Sequence, residues 1–227
     1  MIDSLIAIVP AAGVGLRAGR AGEPELPKQY RMLAGQPMLR RAVAALLADA
    51  RIAQVRVAVS AGDERAQAAL AGLPRTVCRP CGGPTRADTV AAALADSAAA
   101  DGDWILVHDA ARPGLPPDAL ARLIDACLPD AVGGLLALPV ADTVKAGGPR
   151  VRATLDRDGL WLAQTPQMFR AGVLRAALAG ARTDGVAVTD EASAIEAAGH
   201  TPLLVPGALR NFKVTWPDDF ELMEKWL

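Results

Sequence analysis

Short runs of aliphatic and β-branched residues alternate along this chain with Ala/Leu-rich stretches of helical length, and that alternation admits few folds. Neighbouring parallel strands cannot be joined by a tight turn and need a crossover, usually a helix. Strand–helix–strand repetition therefore predicts an α/β protein with a mostly parallel sheet. The first strand, Leu5–Val9, is apolar throughout, which suits a strand covered by helices on both faces. Further strands are predicted at Val55–Ser60, Thr76–Cys78, Trp104–His108 and Gly134–Leu138. Pro37 is placed to open a helix reaching Asp49, and Asp63 to cap one reaching Ala71. Ala87–Ala98 and Pro117–Leu128 supply two more. Of 227 residues, 52% are hydrophobic but only 4% aromatic, so the core must be Ala, Leu and Val, with Ala-rich helix faces lying close to the sheet.

The pattern breaks twice. Residues 10–36 form a Gly- and Pro-rich loop far longer than the ~2–6 residues of an ordinary βα connection, and such loops are usually functional. Residues 139–158, flanked by Pro139, Gly147, Gly148 and Pro149, read as a projecting β-arm that needs a partner subunit to pack against. After the arm come a strand at Leu160–Gln164, helices near 171–181 and 190–198, a strand at Leu203–Val205 and a closing helix from Pro217. With no repeat or linker, residues 1–227 are expected to form one domain carrying an arm at 139–158.

Charge excludes other classes. With 24 basic against 25 acidic residues the net charge is −1, so no bulk field grips nucleic acid or an anionic membrane, and any anion site must be local. No apolar run approaches the ~18 residues of a membrane span, and Asp3 before the first apolar stretch argues against a secretory signal. A cytoplasmic protein is expected. Cys78-Arg-Pro-Cys81 has C-x-x-C spacing, but it lacks a second pair for zinc and is followed by Gly82, Gly83 and Pro84 rather than a helix. Ordinary reduced thiols are expected.

Chemistry concentrates where the pattern pauses. Directly after the first strand, V-P-A-A-G-V-G-L-R-A-G keeps side chains small at Ala11, Ala12, Gly13 and Gly15, so backbone amides can cradle phosphate oxygens. Gly13, Gly15 and Ala18 also fit a dinucleotide fingerprint, but the helix that must follow at once is precluded by Gly19, Gly22, Pro24 and Pro27. The loop reaches Arg17 and then Pro27-Lys28-Gln29. Lysine is rare, four against twenty arginines, yet Lys28 and Lys213 both sit in polar loops, where a flexible ammonium can follow a moving phosphate charge. Asp109 ends a buried strand, with Arg112 three residues on, at the sheet edge where open α/β folds bind ligands. Asp109 is a candidate for Mg²⁺ bound with triphosphate or for a substrate hydroxyl. His108, with no nucleophile nearby, reads as structural. Gly82-Gly83-Pro-Thr-Arg86-Ala-Asp-Thr89 opens a helix and offers groups that can read a base edge. Thr143, Arg157, Thr165 and Thr189 lie in smaller polar clusters, and Thr189-Asp190-Glu191 resembles a helix cap.

In combination these motifs resemble the 2-C-methyl-D-erythritol 4-phosphate cytidylyltransferase family. P-A-A-G-x-G-x-R, P-K-Q-Y, G-G-x-x-R-A-D-T-V, V-H-D-A-A-R-P, D-T-x-K, D-R-x-G-L-W, Q-T-P-Q, T-D-E-A-S and N-x-K-V-T occur in the family's order from Ile6 to Trp226. The resemblance implies a Rossmann-like nucleotidyltransferase sheet and a homodimer. It implies that Ala11, Ala12 and Gly13 hold CTP, that Arg17 and Lys28 stabilise the transition state, and that Gly83, Arg86 and Thr89 lie on the cytidine side. Asp109, with Ala110 beside it, and Arg112 fall at the shared centre. Thr143, Arg157, Thr165, Thr189 and Lys213 match positions that bind or orient the methylerythritol phosphate, with Arg157 reaching a dimer partner's site and, like Lys213, counted as catalytic. Pro84 departs from the family, which often has an acidic residue there, and the stretch between Arg17 and Pro27 is longer than the family's.

That reaction brings two anions together. A pair of like unit charges ~4 Å apart costs about 1 kcal/mol in water and about 4 kcal/mol at an effective dielectric of 20, so cations and Mg²⁺ must neutralise the approach. Positioning and charge stabilisation then suffice, with the substrate phosphate as nucleophile. Two rivals remain from sequence: a cytidylyltransferase for another polyol phosphate such as ribitol 5-phosphate, and a catalytically silent nucleotide-binding protein.

Overall fold

The structure is a computed structural model that describes residues 4–13 and 26–227. Strand β1 (Leu5–Pro10) is followed, after the first loop, by a small hairpin of β2 (Met32–Leu33) and β3 (Gln36–Pro37) and by α1 (Met38–Leu47). Strands and helices then alternate as the pattern predicts: β4 (Ile52–Ala58), α2 (Ala66–Leu70), β5 (Thr76–Arg79), α3 (Arg86–Asp96), β6 (Trp104–Val107), α4 (Pro117–Cys127) and β7 (Gly133–Pro139). The predicted arm is a separate two-stranded ribbon, β8 (Val144–Gly147) against β9 (Val151–Leu155). The chain returns through β10 (Trp161–Arg170) to α5 (Ala171–Thr183), α6 (Glu191–Ala197), β11 (Leu203–Pro206) and α7 (Pro217–Glu224).

Seven strands form one sheet in the order β11-β7-β10-β6-β1-β4-β5. All neighbours are parallel except β10, which runs antiparallel between β6 and β7. β10 is also twice the predicted length. The predicted end at Gln164 falls at a register shift between Ala163 and Gln167, which lets Pro166 sit in an irregularity while the strand resumes to Arg170.

Alternation along β1 explains the two-layer cover. Ala7 and Val9 face a core with Leu39, Val43 and Leu46 of α1 and Leu120, Leu123 and Ile124 of α4. Ile8 faces the other, with Val90 and Leu94 of α3, Leu174 and Leu178 of α5 and Ile195 of α6. A third, smaller cluster matters for function. Phe220 and Met223 of α7 pack with Leu33, Met38, Ala111 and Val214, which pins the segment carrying Lys213 to the sheet edge.

Helix starts follow local chemistry. Thr85 caps α3 by accepting from the Asp88 amide, and Asp63 accepts from the amides of Arg65 and Ala66 ahead of α2. Pro37 sits one residue earlier than predicted, as the N-cap of α1. The two C-x-x-C thiols point apart: Cys78 packs on the core of one sheet face and Cys81 on the other. Burial raises both thiols above their usual range, so neither is a ready thiolate.

Ile8 is fully buried on the central strand. Ile8→Ala should lower unfolding free energy by about 2–5 kcal/mol, read from the urea midpoint at unchanged denaturant slope.

Candidate active site

Four loops meet at the carboxyl edge of the sheet: Ala11–Gly13 after β1, Val59 and Ser60 after β4, Gly82 and Gly83 after β5, and His108–Ala111 after β6. A cleft of about 330 Å³ opens there, lined by Ala11, Ala12, Gly13, Lys28, Gly83, Pro84, Arg86, Thr89, Asp109, Ala110 and Lys213 among others. Two glycines permit this convergence. A Cβ on Gly82 would lie 2.3 Å from the Ala12 Cβ, and one on Gly83 would lie 2.6 Å from the Asp88 Cβ. The Ala11 amide donates to Ala58 O, and Ser60 Oγ donates to Ala12 O, so the start of the first loop is fixed to β4. Among the described residues, no acceptor is bonded to the Ala12 or Gly13 amide.

The P-K-Q-Y stretch brings the other end of that loop back. Lys28–Tyr30 form a single 3-10 turn. Gln29 Nε2 donates to Ala11 O at 2.9 Å and the Tyr30 hydroxyl to Asp63 Oδ2 at 2.6 Å. Lys28 Nζ donates to Val214 O at 3.0 Å, next to Lys213 in the chain. The two lysines thus stand on one wall.

Asp109 is the hub. Arg86 Nε donates to its Oδ1 at 2.9 Å, Lys213 Nζ lies 2.8 Å from its Oδ2, and Arg112 Nε lies 3.6 Å from the same oxygen. Burial alone would push this carboxyl up. The positive charges of Arg86, Lys213 and Arg112 overcome it and hold the group far below the usual carboxylate range. Arg86 turns its two terminal nitrogens to Glu191, at 2.7 and 3.0 Å, and Glu191 is fully buried. Burial pushes the Glu191 carboxyl up despite that pairing. Among the described residues, Lys28, Arg86, Arg112 and Lys213 stand against Asp109 and Glu191, an excess of positive charge in a chain of net charge −1.

This surrounding bears on the metal role expected of Asp109. Both its oxygens already face cations, and among the described residues no three His, Cys, Asp or Glu side chains cluster as a metal site. Asp109 fits the organiser of three cations and does not fit a protein ligand to Mg²⁺.

Other predicted residues fall into two groups. Three are turned inward. The Thr89 hydroxyl accepts from the Gly83 amide and donates to Thr85 O. Arg112 donates to Asn211 O at 2.8 Å and Ala163 O at 3.3 Å, clamping β10 to the Lys213 segment. The Thr165 hydroxyl accepts from the Asp109 amide at 2.9 Å and faces His108 Nδ1 at 3.1 Å. Thr143, Arg157 and Thr189 lie exposed outside the cleft. Arg157, in the turn before β10, donates to Ala141 O. Arg17 lies outside the described residues, as does most of the Arg17–Pro27 stretch.

The Arg112 carbonyl can only accept, so His108 Nε2 is assigned the proton. Nδ1 then accepts from Thr165 Oγ, whose own lone pair takes the Asp109 amide. Full burial pushes this imidazole down to about 4, so it stays neutral and fixes the turn that carries Asp109.

Comparison with known proteins completes the picture. Residues 5–227 match the family described as 2-C-methyl-D-erythritol 4-phosphate cytidylyltransferase. The chain belongs to this family. Similar relatives of that name come from Bordetella petrii, 90% identical over 227 residues, and Bordetella pertussis, 81% identical, each covering the full length of both chains. Among solved structures, a 4-diphosphocytidyl-2C-methyl-D-erythritol synthase superposes with TM-score 0.87 at 39% identity, covering 100% of this chain and 99% of its own. The Francisella tularensis 2-C-methyl-D-erythritol 4-phosphate cytidylyltransferase superposes with TM-score 0.84 at 33% identity, over 99% of this chain and 100% of its own. The nucleotidyltransferase sheet expected from sequence is thereby established for this member of the cytidylyltransferase family. Residues missed at the sequence level are Glu191, Gln29, Asn211 and the His108–Thr165 link, whose partners are all remote in the chain.

Because folded His108 resists protonation while the unfolded imidazole titrates near 6.5, the unfolded state binds more protons between those values and stability falls as pH falls through that window. Unfolding free energy at pH 5.0 should be about 2 kcal/mol below that at pH 7.5 from this group alone. Urea melts of His108→Gln should show that component gone.

Proposed function

We propose that the chain transfers the cytidylyl group of CTP to 2-C-methyl-D-erythritol 4-phosphate. An acceptor phosphate oxygen forms a bond to the α-phosphorus, the bond to the bridging oxygen of the β-phosphate breaks, and pyrophosphate leaves. The products are 4-diphosphocytidyl-2-C-methyl-D-erythritol and pyrophosphate. Family membership over essentially the whole chain supports this reading. The observation that carries it is the meeting of Lys28, Arg86, Lys213 and the Ala11–Gly13 backbone in one cleft.

The two reactants repel, and this excess of positive charge offsets that repulsion with groups already fixed by the fold. The Ala11, Ala12 and Gly13 amides hold the triphosphate and Lys28 follows the charge that moves toward the leaving pyrophosphate. Gly83, Thr89, Arg86 and Ala110 form the cytidine side, with Pro84 in its wall. Lys213 and Asp109 face the acceptor phosphate, and Arg112 and Thr165 hold Asp109 in place. Arg17, outside the described residues, is assigned to the triphosphate by the family resemblance alone. A divalent cation bound with the CTP phosphates would offset part of their charge, and no residue of this chain is assigned to hold it.

The arm completes the assembly as a homodimer. Val151, Leu155 and Leu162 present large apolar side chains on or beside it, which a second copy would cover, bringing its Arg157 and Thr143 to the acceptor side, where Thr189 also lies. We place the enzyme in the cytoplasm, in keeping with three free cysteines. In the described residues no helix is long and apolar enough to cross a membrane.

Pyrophosphate release should require CTP and methylerythritol phosphate together. Release with ribitol 5-phosphate at equal efficiency, or none with either acceptor, would refute the reading. Lys28→Ala should lower kcat by about 10²–10³-fold, and near-normal turnover would remove Lys28 from the chemistry. Lys213→Ala should reduce kcat/KM more for the polyol phosphate than for CTP, and equal losses would argue against an acceptor-side role.

A further inference from the structure

Glu191 does not line the cleft, yet its carboxylate is fully buried and both oxygens go to Arg86. An acidic residue in the first turn of a helix ordinarily serves the helix. Here that task is taken by its neighbours. Asp190 Oδ1 accepts from the Ser193 amide, and Ser193 Oγ accepts in turn from the amides of Thr189 and Asp190. The helix is tied to β10 by Gln167, which donates to Asp190 Oδ2 and accepts from the Ala192 amide, each at 2.8 Å. None of these contacts uses the Glu191 side chain.

Arg86 has five N–H groups on a planar guanidinium that turns as one body. One meets Asp109 and two meet Glu191. Carboxylates on its side and its end fix the plane. Two N–H groups are left on a side chain that lines the cleft and is 27% exposed. Without Glu191 the guanidinium would keep only the single Asp109 contact and could rotate about it.

We propose that Glu191 is a positioning residue for cytidylyl transfer that acts through Arg86, locking the guanidinium plane so that Arg86 braces Asp109 and offers its two remaining N–H groups to the nucleotide. The proposal rests on the placement of Arg86 and Asp109 in the active site given above. Glu191 touches no reacting atom. Its removal should act on CTP rather than on the acceptor.

The test is steady-state kinetics of the full-length enzyme with CTP, methylerythritol phosphate and Mg²⁺, with thermal melting of each variant. Glu191→Gln should lower kcat/KM for CTP by about 10–100-fold, the range for loss of a group that orients a ligating side chain, with the acceptor KM within about threefold of wild type. Glu191→Asp should recover most of that loss. Ser193→Ala, which loosens the helix start without touching Arg86, should stay within about twofold of wild type. An equal loss in Ser193→Ala would mean that Glu191 merely anchors its helix, and would overturn the proposal. Arg86→Met separates the role of Arg86 from that of Glu191. Wild-type kinetics in Arg86→Met would overturn the placement of Arg86 itself, whereas an impaired Arg86→Met beside an unimpaired Glu191→Gln would overturn the role of Glu191 alone. Should Glu191→Gln fail to fold, Arg86→Met/Glu191→Gln leaves no unpaired buried charge and keeps the test open. It should match Arg86→Met within about threefold, and a much larger loss would overturn action through Arg86.

Discussion

A carboxylate buried at the end of a strand is expensive unless cations surround it, and Asp109 has three. That requirement orders the rest of the site. Arg86 reaches it from α3, Arg112 from the following turn and Lys213 from the segment before α7, so one acid draws three separate parts of the chain to a single edge. Two of the cations are in turn tied elsewhere: Arg86 to Glu191, Arg112 to the carbonyls of Ala163 and Asn211. The result is a rigid array with surplus positive charge. A preorganised array needs no reorganisation when two phosphates arrive, which is where charge stabilisation gains most over water.

The backbone contributes as much as the charges. The small residues Ala12 and Gly82 let two loops approach so closely that a Cβ on Gly82 would overlap the Ala12 Cβ, and the same economy of side-chain volume runs through the Ala-rich helix faces on both sides of the sheet. With so few aromatics, close approach of elements replaces large side chains as the means of filling the core. Trp104 and Phe169 are fully buried exceptions, with Tyr30 and Phe220 nearly so.

What could be read from the chain alone follows from the range of the interactions involved. Strand and helix periodicity is local, so the β1–α1–β4–α2–β5–α3–β6–α4–β7 order was legible. The strand read as ending at Gln164 continues to Arg170 because it pairs with β6 and β7, which no local pattern shows. Motif residues that meet the cleft, such as Lys28, Asp109 and Lys213, were legible because they sit where local pattern pauses. The inward turn of Thr89, Thr165 and Arg112 was not, since nothing in a short motif says whether a hydroxyl or guanidinium will find its partner in the protein or in a ligand. Glu191 was hidden for the same reason: beside Asp190 it reads as part of a cap, and its true partner, Arg86, lies 105 residues away.

The bond from Lys28 to the Val214 carbonyl spans 186 residues. Everything needed for the sheet is translated before Val214, but the wall that carries both lysines closes only when the C-terminal segment lies down under α7. Lys28 and Lys213 are therefore held on one wall by contacts between distant parts of the chain, and the packing of α7 on Leu33, Met38 and Ala111 keeps that wall in place.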